Sequence, residues 1–359
     1  MCDDLGFDIG SSDMTGGKAI PVADAVGAVL AHDITEIRPG EFKGRAFKKG
    51  HIIRQEDVCH LRRLGKERLF ILEIAPDEMH EDEAAHILAA ALMGEGVTIE
   101  GGPIEGKINI IAARDGLLKV DKEALLAFNM LGDVMCAALH DNTLVKKGRV
   151  VAGTRAIPLV IKRKTVLDAV SAVSSSAVIE VKQLRKPRAG VVITGSEVYH
   201  GKIKDAFAPV IRKKVEEFGG EIVGLYYAPD DVAYITKRLE ELIEAGVDLL
   251  VTTGGMSVDP DDVTRFAIRQ IGAKDITYGS AVLPGAMFLV ANLERNGRTI
   301  PVLGIPACGM YHNITIFDLI FPRILAEEKI GRRELAELGH GGLCLHCKEC
   351  RYPECPFGK

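Results

Sequence analysis

Between residues 189 and 253 the apolar positions switch four times between strand and helix periods, and this switching constrains the fold more than any other feature of the chain. Residues 189–194 are a short apolar run of strand length. From Asp205 onward, Phe207, Val210, Ile211, Val215 and Phe218 fall on one helical face, and Gly219 with Gly220 stops the helix. Residues 221–227 read as the next strand. Asp230 and Asp231 then cap a helix with Val232, Ile235, Leu239, Leu242 and Ile243 on one stripe, Gly246 ends it, and residues 247–253 form a buried strand. Three strands joined by two helices predict an α/β domain of three αβα layers around a mainly parallel sheet. Ligands of such sheets bind beyond the strand carboxyl ends, so residues 194–201 and 252–262 belong to one rim.

The preceding half is organised differently. Residues 20–72 read as short strands joined by turns at Gly40, Gly44 and Gly50, a small β-rich unit. The tract from Glu81 to Gly94 is helical, acidic at its start, and opens an α+β region with a strand over 106–113 and a helix capped by Asp121. A serine run (171–176) and a basic stretch (182–188) separate the halves. The expected divisions are a loose tail (1–17), a β-rich and α+β region (18–184), the αβα domain (185–330) and a cysteine-rich tail (331–359).

Composition narrows the partners. The 359 residues are 47% hydrophobic and 26% charged with a net charge of −5, and no basic run is interleaved with aromatic residues. This argues against nucleic acid and for a small-molecule ligand. No segment reaches the ~18 uninterrupted apolar residues of a membrane span, and the amino terminus lacks a secretory signal, so a cytoplasmic protein is expected. Of eight cysteines, Cys344, Cys347, Cys350 and Cys355 crowd into the tail as C-x-x-C-x-x-C-x-x-x-x-C-P. Four thiolates so closely spaced can wrap one metal centre, an iron–sulfur cluster or zinc; unpaired thiols or a disulfide are the plain alternative. His340 and His346 flank them.

The two rim loops carry the remaining chemistry. Thr194, Gly195, Ser196 and Glu197, followed by G-K-I-K-D ending at Asp205, make a glycine-rich strand-to-helix loop suited to a phosphate, although Asp205 reads equally as a helix cap. Thr253, Gly254, Gly255 and Ser257 precede Asp259, Asp261 and Asp262. Adjacent glycines admit a ligand to the backbone, and the carboxylates suit Mg²⁺ or an amino-pterin ring, unless Asp261 or Asp262 merely caps the next helix.

The order T-G-S-E, G-K-I-K-D-A, T-T-G-G-M-S-V-D, D-x-T, L-P-G-A and G-I-P-A resembles the molybdopterin-binding domain shared by MoeA, MogA and gephyrin. The resemblance implies that Asp205 and Asp262 are the functional, catalytic aspartates, that Gly254 and Gly255 cradle molybdopterin, and that Ser257 contacts its phosphate. Pro284, Gly285 and Pro306 stand in the remaining binding loops. The implied activity is that of a molybdopterin molybdotransferase, inserting molybdate into adenylylated molybdopterin with Mg²⁺. The alternatives are a non-catalytic molybdopterin carrier or sensor, and a CinA-like nucleotide-processing protein. Homo-oligomers, and contacts with other cofactor-biosynthesis proteins or molybdoenzymes, are further expectations.

Residues 25–35 and 47–65 resemble the MoeA amino-terminal half more distantly, with G-E-F-K-G-R at 40–45 in place of that family's opening motif. Two loops depart from the MoeA pattern: P-G-A-M replaces P-G-K-P at 284–287, and I-P-A-C-G replaces L-P-G-N-P at 305–309. The first loses a cation. The second places Cys308 at the rim, as a soft metal ligand or as inert packing.

Overall fold

The segments read between 189 and 253 fold as the parallel core they predict. A computed structural model describes residues 17–38, 42–72, 74–256 and 263–359, and the chain divides into two compact units, Met1–Leu139 with Val145–Val181 and His140–Leu144 with Lys182–Lys359.

In the second unit, β1 (Arg188–Thr194) is followed by a single turn, α1 (Ser196–Tyr199), then α2 (Phe207–Glu217), β2 (Glu221–Ala228), α3 (Val232–Glu244) and β3 (Leu249–Thr253). After β3 come α4 (Thr264–Gln270), β4 (Lys274–Tyr278), β5 (Leu289–Arg295), β6 (Arg298–Ile305), α5 (Ile316–Leu325) and α6 (Arg332–Glu337). The six strands form one sheet in the order β2-β1-β3-β6-β5-β4. Alternate residues of β1 serve opposite faces. Val191 and Ile193 pack with Phe207, Ile211, Phe317 and Phe321 of α2 and α5, whereas Val192 packs with Ile235, Leu239 and Ile268 of α3 and α4. Three layers result.

Asp231 caps α3 as read, accepting from the Tyr234 N–H. Helix α2 begins two residues later than expected because the Asp205 side chain stands outside it, accepting from its first N–H groups. The sequence reading did not find the antiparallel edge. Its signal is Asn296 and Gly297, both at positive φ, a two-residue turn that fits the twist of a hairpin and joins β5 to β6.

Among the described residues of the first unit, two large hydrophobic clusters and a small one of Ala85, Ala89 and Ile108 are buried. Antiparallel pairs of Gly17–Pro21 with Arg68–Leu72 and of Ile34–Arg38 with Phe42–Phe47, together with the helix Asp57–Arg63, enclose Leu30, Ile34, Phe47 and Leu61. The helix Glu81–Leu92 packs Leu88 and Leu92 with Ile110 and Ala152 of the sheet formed by Val97–Ile99, Lys107–Ala112, Val150–Ala156 and Val134–Ala138. The serine run read as a separator instead ends a helix, Arg163–Ala172, because Val166 and Ala169 at helical spacing are buried beneath it.

Candidate ligand site at the sheet rim

The parallel register brings the carboxyl ends of three strands side by side. Ile193 of β1 lies beside Thr253 of β3, and Thr253 beside Ile305 of β6; β5 starts at the same end, with Leu289 beside Gly304. The segments holding Gly195, Ser196 and Glu197, Gly254 and Gly255, Pro284 and Gly285, and Pro306 therefore share one rim.

Buried hydroxyls lie under it. Thr194 Oγ1 donates to the Thr253 carbonyl at 2.9 Å, and since its one proton is spent there, Thr264 Oγ1 at 3.0 Å is the donor to Thr194. Thr253 Oγ1 is buried without a hydrogen-bond partner. A Cβ on Gly254, at φ +79, would stand 2.2 Å from the Thr194 carbonyl oxygen, and one on Gly255, at φ +54, 2.3 Å from Thr264 Oγ1. The glycine pair is thus required by the protein's own packing, which folds the end of β3 over Thr194.

The first loop is closed by reciprocal bonds. The Ser196 N–H donates to Asp230 Oδ2 at 2.8 Å, and the Asp230 N–H to Ser196 Oγ at 3.3 Å. Asp205 accepts from the N–H groups of Phe207 at 2.8 Å and Ala208 at 3.0 Å, and from the Tyr227 hydroxyl at 3.2 Å. Burial and then the Asp205 charge raise the Tyr227 hydroxyl above its usual range. On the other side, the Tyr278 hydroxyl donates to the Met256 carbonyl and lies 3.1 Å from Met287 Sδ. The Arg265 guanidinium sits over the Tyr278 ring at 4.6 Å, its Nε buried and unpartnered. Pro306 opens a short turn, Ala307–Met310, in which burial pushes the Cys308 thiol up, away from the thiolate.

Residues 190–326 match the family described as a probable molybdopterin binding domain. Residues 19–73 match a domain of unknown function, DUF8806. A CinA-like protein of Mycobacterium tuberculosis H37Rv is 42% identical over 89 residues, 25% of this chain and 21% of that protein. Another, from Mycobacterium avium, is 34% identical over 95 residues, 26% of this chain and 22% of its own length. The chain spans about a fifth of the length of these curated relatives. Among solved structures, the tungsten cofactor synthesizing protein MoaB from Pyrococcus furiosus matches 40% of this chain and 98% of its own at 19% identity and a TM-score of 0.33.

In this domain, Asp205 is drawn into capping α2, while Ser257 and Asp262, with Asp259 and Asp261, lie outside the described residues. Sequence reading overlooked Arg265, Tyr278, Tyr227 and Asp230 as rim residues. For Arg265 the available signal was a lone cation in the first turn after an acidic loop. Tyr278, which ends β4, and Tyr227, the last residue but one of β2, are recognisable only once their strands are aligned.

The cysteine tail returns to the same domain. The Leu283 N–H donates to the Gly342 carbonyl at 2.8 Å, the Cys344 N–H to the Leu283 carbonyl at 2.9 Å, and Phe357 is buried in the core beneath α5. Cys344, Cys347, Cys350 and Cys355, all free thiols, line one cavity of about 210 Å³ together with His312 and His346, whose ring centroids are 5.3 Å apart. His340 does not line it. Among the described residues no three His, Cys, Asp or Glu side chains stand close enough together to hold a metal ion. No described helix is long and apolar enough to cross a membrane.

Proposed function

We propose that the second unit binds molybdopterin, or its adenylylated form, at the rim formed by β1, β3, β6 and the start of β5, in the biosynthesis of the molybdenum cofactor. The observation that carries this reading is the match of residues 190–326 to the molybdopterin-binding family, over the unit whose strand ends gather all the described loops in question. The loop of Ser196 and the buried Thr194, Thr253 and Thr264 set would position the phosphate, and Asp205 would hold the loop through α2. Arg265 would supply the cation absent from P-G-A-M, since its guanidinium and Met287 both meet Tyr278.

In the catalytic form of this reading, water cleaves the pyrophosphate link of adenylylated molybdopterin and AMP leaves, while molybdate forms two bonds to the dithiolene sulfurs and loses one oxygen as water with the two thiol protons; Asp262 would be general base or metal ligand. Asp262 and its acidic neighbours lie outside the described residues, and no step is assigned to Mg²⁺. The tail cysteines would hold zinc or an iron–sulfur cluster; their donor chemistry, four thiols and two imidazoles on one cavity, fits either.

A second reading, a CinA-like nucleotide-processing protein, is supported by the 42% identity over 89 residues. Equilibrium binding of molybdopterin, adenylylated molybdopterin and adenine nucleotides to the whole chain, paired with a molybdate-insertion assay, separates the readings. Pterin binding weakened about tenfold or more in Arg265→Gln supports the rim site. Nucleotide turnover without pterin binding selects the second reading, and no pterin binding at all overturns the first.

A further inference from the structure

The cysteine tail is joined to the rim on two sides. Gly342 and Cys344 bracket Leu283 with a pair of backbone hydrogen bonds, one residue before Pro284. The cavity that the four thiols line is walled opposite them by Tyr311, His312 and Ile314, which directly follow the Ala307–Met310 turn that Pro306 opens. Lys214 fixes this wall from behind, donating to the Asn313 carbonyl at 3.1 Å. The residue just before one loop that departs from the MoeA pattern, Leu283, is thus hydrogen-bonded to the segment that carries the thiols, and the residues just after the other, from Tyr311, line the cavity with them.

We infer that metal bound by this tail orders the two divergent rim loops, with His312 and His346 joining the cysteine thiolates as ligands, so that metal occupancy sets whether the rim can hold its ligand. The inference rests on the metal-binding reading of the tail. Each thiol that becomes a ligand gives its proton to solvent, and the imidazoles bind through unprotonated nitrogens, so uptake of zinc, or of ferric and ferrous iron with sulfide in the proportions a cluster holds, needs no oxidant. The donors already share one cavity but do not yet converge. Drawing them onto one centre links His312, a few residues beyond Pro306, to cysteines whose chain is hydrogen-bonded to Leu283. A cross-link of that kind removes conformations available to both loops.

Hydrogen exchange of the whole chain, purified anaerobically, stripped with chelator and reloaded with Zn²⁺ or in parallel with ferric and ferrous iron and sulfide, tests this. Loading is expected to slow amide exchange about tenfold or more in residues 283–287 and 307–314. A Cys347→Ser, Cys350→Ser variant, altered at two exposed positions, should take up no metal and exchange as the stripped protein does. His312→Gln should keep metal on the thiolates while residues 307–314 lose their protection. Absorbance in the visible separates the cluster from colourless zinc. Uptake of neither metal sinks the reading of the tail together with the inference; uptake through the cysteines with exchange unchanged at both loops sinks the inference alone.

Discussion

Asp205 shows how one carboxylate carries two explanations that can be separated. Its oxygens satisfy the N–H groups of Phe207 and Ala208, at a helix start where four donors lack intrahelical partners. Removing that acceptor in Asp205→Ala should cost about 1 kcal/mol of stability, whereas Asp205→Asn, which also accepts through an oxygen, should cost only a few tenths. Urea denaturation of the two variants measures this. Pterin affinity is the separate readout: a loss in Asp205→Asn at nearly unchanged stability gives the charge a part in ligand binding, and parallel behaviour of affinity and stability leaves it a cap alone. Thr194 and Thr264 allow no such separation, because their hydroxyls are buried and bonded to each other.

The elements that can be read from local pattern are those whose burial follows a single period. Helices α2 and α3 were legible because each places its apolar residues on one face, strands β1 and β3 because each is a short apolar run buried on both faces, and Asp231 and Gly246 mark ends that caps and turns require. The rim followed from the strand order alone. The edge hairpin was not found because residues 281–293, apolar but interrupted at Pro284 and Gly285, show no clean alternation, and only Asn296 with Gly297 marks the turn. The packing of the tail was not legible at all: Phe357 lies in the core with Phe317 and Phe321, residues about forty positions earlier, and no local period encodes such a contact. That contact has a measurable weight. Phe357, 3% exposed, should cost about 3–5 kcal/mol when replaced by Ala, whereas Leu345, 66% exposed on the same tail, should change stability by less than about 0.5 kcal/mol. Equal, small effects in both variants would show the tail to be detached in solution.

Over the whole molecule, the division into two units with separate cores leads to unfolding in two calorimetric transitions, and the first unit's should respond to mild acid. The histidines responsible are in the first unit. His80 is 6% exposed; its Nε2 lies 3.0 Å from the Ala31 carbonyl, and its Nδ1 accepts from the Asp82 N–H at 3.1 Å with the Lys49 ammonium 2.8 Å away. A neutral ring protonated at Nε2 satisfies this arrangement, and a second proton would face Lys49. Burial, then the hydrogen bond to Ala31 working in the opposite direction, then Lys49 leave His80 below its ordinary 6.5, and burial followed by Lys66 does the same for His32. Because the folded values are depressed, the unfolded chain takes up protons first as pH falls. The stabilisation from neutral rings is complete above pH 6.5 and is lost as pH drops through the lower folded values. Glu81 opposes this from lower pH: burial holds it above its ordinary 4.5 against the pull of Arg155, so its protonation favours the fold. Scanning calorimetry between neutral and mildly acidic pH should therefore move the first unit's transition to lower temperature. His80→Gln should flatten the dependence by removing one titrating ring, and a dependence left unchanged by that substitution would refute the assignment to His80.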